Sequence, residues 1–102
     1  MKPLLEAPAR WRAPATRLDA TNVEATRREL LAEAAAAPAL TIDLTGVVYV
    51  DALGLECLLE AVRRCRGPAT FVGVSASVRD FLRRCDVLPL LRVQPDVPLA
   101  EQ

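Results

Sequence analysis

Few side chains in this sequence could do chemistry, and an absence narrows the field first. The chain contains no histidine. That removes the commonest general base, the Ser–His and Cys–His nucleophile pairs, and the commonest metal ligand. Its three cysteines, Cys57, Cys65 and Cys85, form an odd set with no Cys-x-x-Cys spacing. Zinc and thioredoxin-like redox chemistry therefore have no support, and a reducing compartment suits the set best. Asp43 lies near the end of an apolar segment, where a carboxylate can orient a loop. It has no second carboxylate at a spacing that suggests acid–base work. Asp51 opens the run Asp51-Ala52-Leu53-Gly54-Leu55, where its carboxylate can accept a backbone N–H at the positive start of a helix. Gly54 in the same run permits close packing or an unusual turn. Gly67 and Gly73 read as turn or packing glycines, and no glycine-rich phosphate loop exists. The basic groups Arg63, Arg64, Arg66 and Arg79, Arg83, Arg84 fall late in their helical segments, which suits the helix dipole and a solvated face. No enzyme, cofactor or metal is expected from this set.

The elements that hold these residues follow from composition and periodicity. The 102 residues, 52% apolar and 25% charged, are enough for one domain that folds without metal or disulfide. Thirteen basic residues balance thirteen acidic ones, so the basic surplus of a nucleic-acid or anionic-membrane binder is missing. Met1-Lys2-Pro3-Leu4-Leu5-Glu6 meets charge at once, so no signal peptide is expected. No stretch reaches the roughly 20 apolar residues of a membrane span, and a soluble, cytoplasmic protein without direct membrane insertion is expected.

Residues 1–15, with Pro3, Pro8 and Pro14, suggest a ragged edge strand around Ala9–Ala13, and 94–102 a loose tail. Thr21–Ala36 reads as a helix with Val23, Leu30, Leu31 and Ala34 inward and Asp19 or Thr21 at its cap; Glu24 and Arg28 stand at i,i+4. Leu40–Leu44 alternates as a strand, and Val47–Val50 is a short apolar run. A second helix carries the stripe Leu55, Leu58, Leu59 and Val62 and ends near Gly67-Pro68. At about 100° per residue, Leu53 and Cys57 fall opposite that stripe and form an outward apolar strip beside Ala52. Cys57 is thus expected to react with thiol reagents ahead of Cys65 and Cys85. Ala69–Val74 is a strand, and Ser75 or Ser77 caps a third helix with Val78, Phe81, Leu82 and Cys85 inward. Val87–Val93 closes the unit. The order implies an α/β fold, a small, mainly parallel sheet of four or five strands with amphipathic helices, as one domain over 1–102 with its core at about 16–93.

The stretch Leu40–Val93 resembles the STAS domain, the family of bacterial anti-sigma factor antagonists. The features are Asp43 ahead of Thr45-Gly46-Val47, the run Val48-Tyr49-Val50 into Asp51-Ala52-Leu53-Gly54-Leu55, and Thr70-Phe71-Val72-Gly73-Val74. Arg17-Leu18-Asp19-Ala20 fits the turn into the family's first helix. The resemblance implies a non-enzymatic, protein-binding module in signal transduction and transcription regulation (anti-anti-sigma). Its docking surface would be the start of the second helix, at Asp51, Ala52, Leu53 and Gly54, with Cys57 from the outward strip. The implied partner is an anti-sigma factor of kinase-like fold. The alternative is the cytoplasmic STAS subunit of a lipid-transport ABC transporter, docked on its ATPase. The family also admits weak nucleotide binding and self-dimers.

The sequence departs from the family where it matters most. The residue after the motif aspartate, a phosphorylated serine or threonine in partner-switching antagonists, is Ala52, and the next serine is Leu53. Phosphate places about −1.5 to −2 charges on a hydroxyl, and alanine has none to carry it. The chain should therefore gain no phosphate within residues 51–55 after incubation with ATP and a kinase that acts on related antagonists. Intact mass and peptide mapping check this, and a phosphate found there would refute it.

Overall fold

The computed structural model describes residues 8–94. The N-terminal residues 1–7 and the tail expected from 95 onward lie outside them. In chain order the elements are β1 (Ala9–Arg12), β2 (Arg17–Leu18), α1 (Val23–Ala36), β3 (Leu40–Asp43) and β4 (Tyr49–Val50). Then come α2 (Ala52–Arg64), β5 (Ala69–Val72), α3 (Ala76–Arg84), a 3₁₀ turn (Leu88–Leu90) and β6 (Arg92–Val93).

Four strands make a parallel sheet in the order β1-β3-β5-β6, so the expected ragged strand sits at an edge. Parallel neighbours need crossover connections, and α1, α2 and α3 supply them. Register places Trp11, Ile42 and Phe71 side by side on the face that meets the helices, and all three are buried. Arg10, Thr41, Thr70 and Arg92 make a row on the other face. Half of the apolar run before Asp51 is loop. After Gly46, whose φ of 92° turns the chain, Val47 is buried and only Tyr49–Val50 pairs, parallel to β2 in a separate two-stranded ribbon.

The caps differ in detail from expectation. Helix α1 starts one residue after Asn22, not on Asp19 or Thr21. The Asp19 carboxylate instead accepts the Thr21 backbone N–H (3.0 Å) and hydroxyl, and the Asn22 amide oxygen accepts the Asp19 N–H at 3.1 Å. The turn before α1 is thus tied by its own side chains, as aspartate and asparagine do in Asx turns. Leu30 and Ala34 point inward as expected, joined by Thr26, while Val23 and Leu31 are only half-buried. Arg27, not Arg28, makes the ion pair of this helix, reaching across to Glu60 of α2 with bonds of 2.9 and 3.0 Å. Ser75 caps α3 by accepting the Val78 N–H.

Two cysteines sit opposite to their expected sides. On α2 the buried residues are Gly54, Leu55, Cys57, Leu58 and Ala61, whereas Leu59 and Val62 are half-exposed. The buried arc is centred roughly 70° away from the leucine stripe, on Ala61 and Leu58. The reason is that α2 packs against α1 as well as the sheet. Its contact with α1 uses small residues that a hydrophobic stripe does not reveal. Cys57 is 2% exposed, and the Arg27–Glu60 pair bridges the two helices beside it. Cys85 was expected inward, but it is the last residue of the α3 turn, its N–H still on the Phe81 carbonyl, and the chain leaves the helix directly after it. Cys85 is the C-cap and is exposed, and Asp86 takes a left-handed φ of 62°.

Burial pushes the Cys57 thiol pKa up, the Arg27 charge offsets part of this, and Glu60 adds to it. The thiolate is the reactive form. Cys85 should therefore label fastest with a thiol reagent and Cys57 slowest until the protein unfolds. Timed labelling with peptide mapping checks the order, and rapid labelling of Cys57 in the folded chain would contradict it.

Candidate functional site

The site is built where β4 runs into α2. Asp51 is in extended backbone conformation, and both of its carboxylate oxygens are occupied. Oδ1 accepts the Gly54 N–H at 2.9 Å, which caps α2, and Oδ2 accepts the Ala20 N–H at 3.2 Å. The Asp51 N–H in turn donates to the Leu18 carbonyl at 3.1 Å. One residue thus fastens the end of β2, the turn before α1 and the first turn of α2. Gly54 completes the junction, because a Cβ there would run into the Leu18 carbonyl. Only glycine lets α2 lie this close to β2.

The same turn is stiffened from the β2 side. Arg17 Nε donates to Asp19 Oδ2 at 2.6 Å, and its guanidinium lies 5.0 Å above the Tyr49 ring. Thr21 and Arg17 lower the Asp19 carboxyl below its ordinary pKa, against an opposing push from burial.

What this junction presents to solvent is apolar. Ala52 is exposed, Leu53 is 46% exposed, Tyr49 47% and Val48 61%. The only other large apolar side chain so exposed among the described residues is Leu90, on the 3₁₀ turn. Scattered exposed leucines need no explanation, but a cluster around one helix start does. Beside it runs an open groove of about 370 Å³ between β4, the start of α2 and α3, lined by Val48, Tyr49, Ala52, Ser77, Phe81 and Arg84. Ser75 and Ser77 hold its far wall. Their hydroxyls donate to the Val47 and Val48 carbonyls, each at 3.1 Å.

The expected site residues therefore separate into two kinds. Ala52 and Leu53 are at the surface; Asp51 and Gly54 build the junction beneath it. Cys57 lies under the surface against α1 and is not part of the outward strip. Sequence reasoning missed Val48 and Tyr49 as exposed and missed the α3 wall. The available signal was the four-residue apolar run ahead of Asp51, more apolar residues than one buried face of a two-residue strand can take.

Asp43 is the last residue of β3 and does what a loop-orienting carboxylate should. Its Oδ1 accepts the Thr45 N–H at 2.9 Å and Oδ2 accepts from Arg10 at 2.7 Å. Burial raises its pKa, but Thr45 and Arg10 together outweigh this and hold it at about 2. A wide hollow of about 380 Å³ nearby, lined by Arg12, Pro14, Thr16, Thr45 and Gly46 among others, brings no further carboxylate to it. No group of three His, Cys, Asp or Glu side chains among the described residues could hold a metal ion. Nor is any described helix long and apolar enough to cross a membrane.

Asp51→Ala should destabilise the chain by about 1–2 kcal/mol, the loss of a helix cap together with the tie to Ala20. Asp51→Asn keeps one acceptor oxygen and should cost less. Urea midpoints of the two variants check this ranking, and an Asp51→Ala midpoint equal to that of the parent would show the junction to be dispensable.

Comparison with known proteins bears on the family and the fold. No curated protein matches the chain. The family described as the STAS domain matches residues 14–100, nearly the whole of the described structure and both halves of the α2 junction. With its parallel four-stranded sheet, three helices and Asp51-capped α2, the chain belongs to the STAS domain family.

Proposed function

We propose that the chain is a non-enzymatic STAS module, anti-sigma factor antagonist-like, that docks on a protein partner through the start of α2. The observation that carries this reading is the gathering of Val48, Tyr49, Ala52 and Leu53 at one exposed helix start. Asp51 and Gly54 contribute by fixing the geometry of that start, not by contact; both are committed to the junction. STAS domains typically mediate protein–protein interactions, which supports the general role. In this reading the described fold is the greater part of one domain over 1–102, with its core at about 16–93, working in the cytoplasm. Ala52 keeps the surface permanently without phosphate, so the partner stays bound or is released by some other signal.

The test is a substitution that alters the surface and nothing below it. Ala52→Glu places an anion in the proposed contact, and an unpaired buried charge costs several kcal/mol. Because Ala52 is exposed in the free chain, the thermal midpoint should barely move. Retention of partner protein from native extract should fall by more than about tenfold, while Arg92→Glu, on the opposite sheet face, leaves it unchanged. Equal retention by a folded Ala52→Glu chain would move the interface elsewhere. Identification of the retained protein separates an anti-sigma factor from a transporter ATPase.

A further inference from the structure

We propose that the partner segment received by the groove beside α2 is apolar at its centre and acidic on its flanks. This rests on the docking reading above and adds the chemistry of the occupant. The floor and walls of the groove are apolar, with Val48, Tyr49, Ala52 and Phe81 around about 370 Å³, and its one cationic lining residue is Arg84. A second cation stands at the other side, where the Arg17 guanidinium covers the Tyr49 ring. A partner in the groove thus meets the exposed Arg84 guanidinium on one wall and the Arg17 guanidinium over Tyr49 on the other. The side chains of Arg17 and Arg84 are 59% and 73% exposed.

The carboxylates that accompany these arginines are less available. Asp19 is tucked in, with its side chain 7% exposed, and it already accepts from Arg17 and Thr21. Asp51, the only carboxylate lining the groove, has both oxygens on backbone N–H groups. Asp80 is half-exposed but shared between Arg83 and Arg84, which leaves a surplus cation on that wall. Arg17 engages Asp19 through Nε, leaving its terminal N–H groups directed to no acceptor among the described residues. A guanidinium has five donors in a planar fork suited to carboxylates, so both arginines can accept a further partner carboxylate without giving up the bonds they make. An apolar side chain in the groove with carboxylates toward Arg17 and Arg84 satisfies every feature of the site. A basic segment would face two exposed cations.

The experiment uses the full chain and three short fluorescent peptides with the same Leu-Phe centre, flanked by glutamate, glutamine or lysine. Fluorescence anisotropy should show the glutamate-flanked peptide binding at least about tenfold tighter than the lysine-flanked one, with glutamine between them. Added salt should shrink that gap. Arg84→Gln, at an exposed helix end, should lower the glutamate-to-lysine preference severalfold. Arg17→Lys keeps a charge but loses the fork, and should weaken the glutamate-flanked peptide alone. The proposal is overturned if the lysine- or glutamine-flanked peptide binds as tightly as the glutamate-flanked one, if none binds, or if Arg84→Gln leaves the preference intact. It is also overturned if the Arg84→Gln chain differs from the parent only in its own dimerisation, read by sedimentation, because a second copy would then be the occupant. Loss of partner retention in Ala52→Glu with no peptide charge preference would refute the acidic chemistry and leave the docking reading standing. Full retention by Ala52→Glu would refute the docking reading itself.

Discussion

The contact between Gly54 and the Leu18 carbonyl sets the terms for the rest of the structure. It brings the first turn of α2 onto β2 with no side chain between them, and so fixes how far α2 can sit from the short β2–β4 ribbon. Asp51 works on the same few ångströms from the other side, binding Gly54 within α2 and Ala20 across the junction. A carboxylate can serve two N–H groups at once because it has two acceptor oxygens, and charge-assisted bonds of this kind are the stronger sort. The junction is local in space but not in sequence, since Ala20 and Asp51 lie 31 residues apart. It therefore ties the first crossover to the second.

With that tie in place, the outward direction of the neighbouring residues is determined. Asp51 turns its carboxylate into the junction and Gly54 faces β2, so Ala52 and Leu53 are left on the free side of the turn. The hydroxyls of Ser75 and Ser77 hold the Val47 and Val48 carbonyls against α3 and so keep the Val48–Tyr49 edge beside the same surface. Four apolar residues are thus kept exposed by polar bonds made behind them. Exposing them has a cost in water, on the order of 25 cal/mol for each Å² of apolar area. That cost is consistent with a surface that is covered in use.

The sequence made some of this legible and hid the rest for identifiable reasons. Alternating strands and helices are strong signals, and β3, β5, α1, α2 and α3 all lie where their periodicity places them. The aspartate at a helix start and the serine before α3 have a direct chemical meaning, and both cap as expected. The rotation of α2 was hidden because a hydrophobic stripe weighs leucine heavily, whereas close helix packing is made by Gly54, Cys57 and Ala61. Helical phase likewise gives direction but not cover, and Cys85, at the C-cap of α3, is exposed although it continues the inward phase. The junction bonds from Asp51 to Ala20 and from Ser77 to Val48 join distant segments, and no single-sequence pattern encodes such pairs. The exposed apolar cluster depends on those bonds and was hidden with them.

This division of labour also bears on why an alanine can stand at position 52. The fold places no demand on that side chain: the cap is Asp51, the close contact is Gly54, and Ala52 faces solvent. A hydroxyl, a phosphate or a methyl at this position would change what a partner meets while leaving the junction bonds as they are. The residue that the family resemblance marks as the switch is therefore separable from the residues that make the site. A chain can lose the switch and keep the surface, because the bonds that shape the surface lie on the other side of the turn. The arginines flanking the groove are separable in the same sense. Arg17 lies over Tyr49 and Arg84 pairs with Asp80, so each is positioned by its own neighbours and not by position 52. In the proposed reading, selectivity thus resides in the cations flanking the groove, and the apolar cluster supplies the common contact.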